Sequence, residues 1–225
     1  MLMLIAALRD GRKVVLAVIR GYRESTEGRT ALSRDLKACR LRALRLVIAD
    51  GHLRAAPTVF PEVEEQRCRN HRIVNVLDTP PHKLQGEGRA LLTKIPYAET
   101  REEAERQKIG FQAWAAKKAV PAAGRRLAED WNRLVTFYAF PKEHWKHLRT
   151  TNVVESPFAA VRLRTAAAKR FKKVENATAV IWKTLRVAEQ SFRRLDAPEL
   201  LPEVAEGVAY VNGERAKRAN EKVAA

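Results

Sequence analysis

The 225-residue chain carries 43 lysines and arginines against 26 acidic residues, which gives a formal net charge of +17. This excess is larger than solubility requires and favours a polyanionic partner such as nucleic acid, without specifying any chemistry. The two cysteines argue against a disulfide framework and fit a reducing cytoplasm. The 46% of hydrophobic residues can form the core of one large domain or two small ones.

The first apolar run, residues 2–8, is too short to cross a membrane, which needs about 20 residues, and no basic leader precedes it. A second apolar run covers residues 14–19, and Asp10-Gly11 between the two is a strong hairpin-turn signal. The sequence therefore predicts a β-hairpin, with Asp10 in its turn rather than in a catalytic site.

A helix is predicted over residues 22–38 and a strand over residues 44–49, which runs directly into Asp50-Gly51. Ligand chemistry in α/β folds is found at the carboxyl ends of strands, so Asp50 is a candidate site residue. A plain turn is the alternative, and this local context alone favours it.

Cys68 and His71 have the Cys-x-x-His spacing of half a zinc site. We expect them on a helix that follows a short strand at Val59-Phe60 and ends at Pro80-Pro81. A structural zinc ion needs four ligands. The remaining candidate ligands are Cys39, His52 and His82. They lack the usual paired spacing, so a core or supporting role for the Cys-His pair is the favoured interpretation.

Residues 81–142 contain no strand pattern and are predicted to be all-helical. Thr100 and Glu103 have capping-box spacing for a helix through Lys118. A second helix is predicted over residues 122–138 from apolar side chains at helical spacing. Its aromatic side chains are predicted to be core residues rather than platforms for stacking bases.

Glu155 is the one acidic residue in the basic stretch 144–164. The helix that follows starts either with Asn152 as its N-cap, which gives Glu155 capping-box spacing, or with Ser156 as cap and Pro157 at the first helical position. In both cases Glu155 lies at or just before a helix N-terminus, beside cations that suit phosphate. The alternative is a capping glutamate on a solvated basic helix.

Residues 158–195 are predicted to be helical and very basic, with an interruption near residues 174–176. The predicted DNA-binding residues are Arg149, Arg162, Arg164, Lys169, Arg170, Lys172 and Lys173. Prolines and a charged end predict a flexible tail over residues 196–225.

The order hairpin, helix, strand ending in Asp50, helical insertion and Glu155 helix is that of an α/β, RNase H-like core without its first strand. In that fold, carboxylates on separate elements hold two divalent ions about 4 Å apart for phosphoryl transfer. The predicted division is a partial core in 1–80, a helical insertion in 81–142, the glutamate helix and basic helices in 143–195, and the tail in 196–225.

Four stretches carry a resemblance to a known family: GYRESTEGRTALSRDLK, LVIADGHL, FPEVEEQRCRNHRIVNVL and FPKEHWKHLRTTNVVESPFAAVRLRT. They resemble the bacterial Mutator-type insertion-sequence transposases, over nearly the whole chain. The resemblance implies a DDE metal site with Mg²⁺ or Mn²⁺, in an RNase H-like fold with a helical insertion. It also implies transposon ends and target DNA as partners, a homo-oligomer for the full-length protein, and a location at the nucleoid.

By this resemblance, Asp50 matches the second aspartate of the triad and Glu155 its glutamate, both as catalytic metal ligands. Cys68 and His71 match a Cys-x-x-His signature that supports the active site. The family's first aspartate lies on a strand before the hairpin, and this chain starts at the hairpin.

Two further departures surround Asp50: Arg54 stands where glycine is typical, and Pro57 falls inside an expected helix. The sequence therefore predicts a transposase that is truncated and has little activity alone. The alternative is an inactive remnant that still binds DNA with little sequence preference. A ribosomal-type RNA-binding protein would explain the charge but not the context of Asp50 and Glu155.

Overall fold

The computed structural model describes residues 2–19, 26–41, 44–51 and 55–216, and within these ranges the chain is α/β and mostly helical. Its strands are β1 (Leu2–Ala7), β2 (Lys13–Ile19), β3 (Leu46–Ala49), β4 (Glu64–Arg67), β5 (Tyr210–Val211) and β6 (Glu214–Arg215). Its α-helices are α1 (Thr26–Ala38), α2 (Arg69–Leu77), α3 (His82–Leu92), α4 (Arg101–Lys117), α5 (Pro121–Ala128), α6 (Trp131–Leu134), α7 (Trp145–Leu148), α8 (Asn152–Ala167), α9 (Val174–Glu189) and α10 (Leu201–Glu206). No helix in the described ranges has the length and apolar character needed to cross a membrane. The α/β class is confirmed, whereas the RNase H-like arrangement stays a prediction.

The predicted hairpin is confirmed, because β1 and β2 pair antiparallel from Leu2↔Ile19 to Ala7↔Lys13. Asp10 lies in its turn, as predicted, and accepts hydrogen bonds from the backbone N–H (3.0 Å) and side chain (2.6 Å) of Arg12. These two bonds lower the pKa of the Asp10 carboxyl. The buried face of the hairpin packs on α8 and α9 in a small core formed by Met3, Val15, Val161, Ile181 and Leu185.

The strand β3 pairs in parallel with β4, from Leu46↔Glu64 to Ala49↔Arg67. Its alternate side chains face two different cores, since Leu46 and Ile48 pack on the large helical cluster and Val47 packs on a smaller one. The prediction of a strand over residues 44–49 is confirmed. Of the helix predicted before it, residues 26–38 are helical and residues 22–25 lie outside the described ranges.

The short strand predicted at Val59-Phe60 is wrong, because these residues lie in and just after a run of turns and the strand is β4. The β4 sequence EEQR has no apolar alternation, so tertiary contacts specify it. The fully buried Gln66 donates to the carbonyl of Leu134 (3.0 Å) and accepts from the N–H of Phe137 (2.8 Å). These bonds satisfy a buried amide that would otherwise oppose folding.

The helix predicted to carry Cys68 and His71 exists as α2, with Cys68 at its N-cap position. Helix α3 was not predicted. The capping box at Thr100 is confirmed in part, since the Thr100 side chain accepts from Glu103 N–H (3.2 Å), while Glu103 accepts from the N–H of Glu99.

The single helix predicted over residues 122–138 is wrong, because the chain forms α5, α6 and a 3-10 turn over Thr136–Ala139 instead. The break falls at Asp130, whose carboxylate forms ion pairs with Arg72 (3.3 Å) and Arg133 (3.7 Å). The aromatic residues are core residues, as predicted: Trp145 meets Phe137 and Tyr138 edge-on at 5.2 and 4.9 Å.

Both predicted starts of the Glu155 helix are wrong. Helix α8 begins at Asn152 with Thr151 at the N-cap position, and it continues through Pro157. The predicted interruption at 174–176 lies a few residues earlier, since α8 ends at Ala167 and α9 begins at Val174. Lys169 between them has a left-handed backbone, with φ of 56°.

The prediction of a flexible tail is wrong for residues 196–216, the part of it that the structure describes. A 3-10 turn over Pro198–Leu200, helix α10 and the β5–β6 hairpin follow α9. This hairpin is fixed by two backbone bonds of 3.1 Å at Gly213, one to Tyr138 and one from Lys142. Residues 217–225 lie outside the described ranges.

Candidate active site

The carboxyl ends of the parallel strands β3 and β4 bring Asp50 and Cys68 to the same edge. The N–H of Cys68 donates to the carbonyl of Ala49 at 2.8 Å, which continues the ladder one step beyond the paired strands. Asp50 follows directly and is exposed. The strand-end location expected for Asp50 is therefore confirmed, while its catalytic role stays a prediction.

The sulfur of Cys68 is buried and lies among several hydrogen-bonding groups. His71 Nδ1 lies 3.3 Å from Cys68 Sγ, because the i, i+3 spacing places both on one face of α2. Thr151 reaches the same sulfur with its backbone N–H (3.4 Å) and its hydroxyl (3.3 Å). Burial opposes ionisation of the thiol and is the largest single influence, but the hydrogen bonds from His71 and Thr151 together lower the pKa of Cys68.

Thr151 connects this thiol to Glu155. Its Oγ1 lies 2.6 Å from Glu155 Oε1, and its carbonyl accepts from the N–H of Glu155 at 3.1 Å. The hydroxyl has one hydrogen, which the shorter contact assigns to Glu155, and its oxygen also lies 3.3 Å from Cys68 Sγ. The three side chains therefore form a continuous hydrogen-bonded path between α2 and α8.

Glu155 Oε1 also lies 3.8 Å from His71 Nδ1. In the described part of the chain, Cys68, His71 and Glu155 form the one group of three potential metal ligands, with ligand atoms within 4.8 Å of one another. The hydrogen bond to Cys68 raises the pKa of His71 most, and the charges of Asp50 and Glu155 raise it further. Cys68, His71 and Glu155 thus lie in direct contact, and Asp50 follows the strand end whose Ala49 carbonyl accepts from the N–H of Cys68.

Arg149 differs from the other predicted DNA-binding residues because it is half-buried in an aromatic setting. Its guanidinium lies 4.8 Å from the Phe137 ring and 5.3 Å from the Trp145 ring. Arg69, which the sequence did not single out, donates its backbone N–H to the Arg149 carbonyl (2.9 Å) and stacks on the exposed ring of Tyr97 at 4.6 Å. These arginines flank the start of α2 next to Cys68.

The sequence model that describes the Mutator family of transposases matches residues 1–194 of this chain. The chain belongs to this family. Over 221 residues it is 36% identical to the transposase for insertion sequence element IS6120 of Mycolicibacterium smegmatis. The matched region covers 97% of this chain and 68% of that protein. It is 35% identical over 218 residues to the transposase for insertion sequence element IST2 of Acidithiobacillus ferrooxidans, covering 95% and 73%. The resemblance carried by the four sequence stretches is confirmed.

The rest of the predicted DNA-binding set of this Mutator family chain lies on a basic surface formed by the second half of α8 and the connection to α9. These side chains are all exposed: Arg162, Arg164, Lys169, Arg170, Lys172 and Lys173. Exposed cations on one helix and the adjoining loop suit contact with a phosphate backbone. DNA binding by these residues stays a prediction.

Thr151 is the site residue that sequence reasoning missed. It lies one residue before the predicted cap Asn152, and its type is common at helix N-caps. Its role depends on contacts with Cys68, 83 residues away in sequence, so no local pattern could indicate it. Arg54 and His52 lie outside the described residues, and residues 55–59 around Pro57 form turns rather than the expected helix.

Proposed function

We propose that this chain is the catalytic part of a DDE transposase, which cleaves DNA and transfers strand ends with Asp50 and Glu155 as metal-ligating carboxylates. One observation carries the proposal: the strand end that leads into Asp50 and the helix start that carries Glu155 both adjoin the Cys68–His71 pair, through the 2.8 Å bond of Cys68 N–H to Ala49 and the 3.8 Å contact of His71 with Glu155. The relatives named above are transposases for insertion sequences, which supports DNA as the substrate.

The donor chemistry fits Mg²⁺ or Mn²⁺. Asp50 and Glu155 are exposed carboxylates, and Mg²⁺ is held in proteins by one or two carboxylates together with substrate phosphates. Ions held by Asp50 and Glu155 would supply Lewis-acid activation of the attacking oxygen and charge stabilisation of the leaving oxygen in phosphoryl transfer. Thr151 orients Glu155 through its 2.6 Å hydrogen bond, and His71 lies 3.8 Å from the same carboxylate oxygen.

The strand arrangement supports an RNase H-like core. Within the described ranges, β1 and β3 each pair on one side only. The backbones of the other two strands, β2 and β4, also form hydrogen bonds with side chains outside the sheets. Val15 of β2 donates its N–H to Glu189 (2.6 Å), and the carbonyl of Glu65 in β4 accepts from Thr136 (2.7 Å). We propose that a further strand lies between β1 and β3 in the active protein and joins the two pairs into one sheet.

The second candidate function is DNA binding without cleavage. A DDE site uses three carboxylates, of which Asp50 and Glu155 are the two that we assign in the described residues, so we propose that the chain alone has little activity. The exposed cations of α8 and the following connection favour retained DNA binding.

A cleavage assay separates the two functions. Supercoiled DNA carrying the terminal repeats is incubated with Mg²⁺ or Mn²⁺ and the chain, and nicked product is measured. We expect Glu155→Gln and Asp50→Asn to lose all nicking. Asp10→Asn is the matched control, since Asp10 also precedes a glycine but lies in the hairpin turn.

Nicking that persists in Glu155→Gln would contradict the assignment of the carboxylates. Robust nicking by the wild type that Glu155→Gln abolishes would exclude the inactive remnant. No nicking by the wild type, together with DNA binding, would establish the second candidate.

A further inference from the structure

Three different ligand atoms meet at the start of α2: a thiol sulfur, an imidazole nitrogen and a carboxylate oxygen. Cys68 Sγ and Glu155 Oε1 lie 3.3 and 3.8 Å from His71 Nδ1, and all three atoms lie within 4.8 Å of one another. Ligands of a tetrahedral zinc ion at usual bond lengths are separated by about 3.4–3.6 Å. The two separations from His71 are therefore close to those of a zinc site before any ion is bound.

The chemistry of the cluster differs from that of a magnesium site. Mg²⁺ prefers oxygen ligands, whereas thiolate and imidazole favour ions such as Zn²⁺ and Cd²⁺. The backbone N–H of Thr151 donates to the sulfur at 3.4 Å, and a donor at this position favours a thiolate. Cys68 itself is fully buried, but an ion can approach from the side of His71 and Glu155, whose side chains are 42% and 50% exposed.

We propose that Cys68, His71 and Glu155 form a binding site for one thiophilic divalent ion of the Zn²⁺ class, which withdraws Glu155 from the catalytic carboxylate pair. Glu155 supplies the third ligand, in place of the Cys39, His52 or His82 that the sequence offered. Three protein ligands leave a fourth position open to water or to a DNA phosphate. The inhibitory consequence rests on the proposed function, whereas the binding site does not.

The binding test uses the full chain, freed of metal by a chelator and without DNA. Cd²⁺ is titrated while the ultraviolet charge-transfer absorption of a cadmium–thiolate bond is recorded, and Zn²⁺ is then added in competition. We expect one ion per chain, displaced by Zn²⁺ but not by a large excess of Mg²⁺. Absence of the absorption, or its removal by Mg²⁺, would overturn the proposal.

The two cysteines of the chain supply a matched pair of variants. Cys68→Ser is expected to abolish the absorption, and Cys39→Ser, at an exposed position, to leave it unchanged. Loss of the signal in Cys39→Ser alone would assign the ion to Cys39 and overturn the proposal.

Because Cys68 is buried, its replacement can disturb folding, so two partly exposed ligands provide a second test. His71→Gln and Glu155→Gln are each expected to weaken Cd²⁺ binding by about 10- to 100-fold or more. Circular dichroism of each variant verifies that the fold is retained. If folded Glu155→Gln binds Cd²⁺ with wild-type affinity, the carboxylate is not a ligand of the ion, and the proposal is overturned.

Inhibition is measured separately. In a nicking assay at fixed Mg²⁺, Zn²⁺ is expected to inhibit the wild type at the concentration at which it displaces Cd²⁺, and Cys39→Ser to be inhibited equally. Nicking that continues with the site filled would refute the withdrawal of Glu155. A wild type without nicking would count against the proposed function only, since the cadmium titration decides the site by itself.

Discussion

Thr151 donates its hydroxyl hydrogen to Glu155 Oε1 over 2.6 Å, one helical turn along α8. The same hydroxyl lies 3.3 Å from the sulfur of Cys68, so a single side chain links the N-termini of α2 and α8. Because Thr151 is buried and Glu155 is half exposed, the hydrogen bond limits where the carboxylate can lie. Pre-orientation of a ligand in this way increases both affinity and activity at metal sites.

Thr151→Val removes the hydroxyl while keeping the shape of the side chain. We expect nicking to fall by about 10- to 100-fold, the usual effect of losing a group that orients a ligand. The free energy of unfolding should fall by only about 1 kcal/mol, the net value of one hydrogen bond. Urea unfolding and the nicking assay measure the two effects. Ser156→Ala, at an exposed position of the same helix, is the control, and equal nicking by both variants would contradict an orienting role.

Gly11→Ala should destabilise the hairpin turn. Gly11 has φ of +81°, and a Cβ there would lie 2.8 Å from Pro198 Cβ and 3.1 Å from the carbonyl oxygen of Leu195. The left-handed backbone alone costs an alanine about 1–2 kcal/mol, and the contacts add to this. Gly86→Ala in α3 is the control: its Cβ meets nothing within 4 Å, and we expect a gain of about 0.5–1 kcal/mol. Thermal unfolding of both variants checks the opposite signs.

Gln66→Leu tests what holds β4 in place. The substitution leaves the N–H of Phe137 and the carbonyl of Leu134 without the side-chain partners they have now. Each buried group left unsatisfied costs about 1–3 kcal/mol, so we expect the chain to lose about 2–5 kcal/mol in urea unfolding. Gln190→Leu, exposed after α9, should change stability by less than about 0.5 kcal/mol. A neutral Gln66→Leu would show that β4 forms without these bonds.

His147 should make stability depend on pH. Burial is the main cause that lowers its pKa, with Lys13 and Lys146 adding to the effect and Asp196 opposing it. The folded chain therefore binds fewer protons than the unfolded chain just below the unfolded value of about 6.5, so stability falls as pH decreases from there towards the lower folded pKa. His147→Gln should reduce the slope of stability against pH in this range. His82→Gln, at an exposed position, should leave that slope unchanged. An unchanged slope in His147→Gln would contradict the assignment.

A separate loss at more acidic pH should come from Asp196. Its hydrogen bonds with Lys146 and His147 lower the pKa of the carboxyl. The stabilisation that the ionised Asp196 gives the folded chain is therefore complete above the unfolded pKa of about 3.9. It is lost as pH falls through the lower pKa of Asp196 in the folded chain. In Asp196→Asn, urea unfolding below pH 4 should show a shallower loss of stability than in the wild type.

The connection between α8 and α9 should carry much of the salt dependence of DNA binding. Each phosphate contact contributes about −0.9 to the slope of log K against log salt. Replacing Lys169, Arg170, Lys172 and Lys173 together with glutamine should reduce the slope by up to about 4. A charge-matched control replaces exposed cations of the helical insertion, namely Lys83, Arg89, Lys94 and Arg106. Equal slopes for the two quadruple variants would contradict a specific basic surface.

Elements with local signals could be predicted from the amino-acid sequence. Apolar runs around Asp10-Gly11 specify the hairpin, the Thr100–Glu103 spacing specifies the start of α4, and an apolar strand leads into Asp50. Each pattern involves neighbouring residues, so its physical cause is contained in a short window. The long motifs around Cys68 and Glu155 also identified the family, which the match over residues 1–194 confirms.

Features that depend on distant partners are visible only in the folded chain. β4 has a charged sequence and is a strand because Gln66 is satisfied by residues 68 and 71 positions away. Near the end of the described residues, the β5–β6 hairpin packs against Tyr138 and Lys142, although it is too short to be stable alone. Thr151 joins Cys68 to Glu155 because two helix N-termini meet, and no spacing along the chain encodes that meeting.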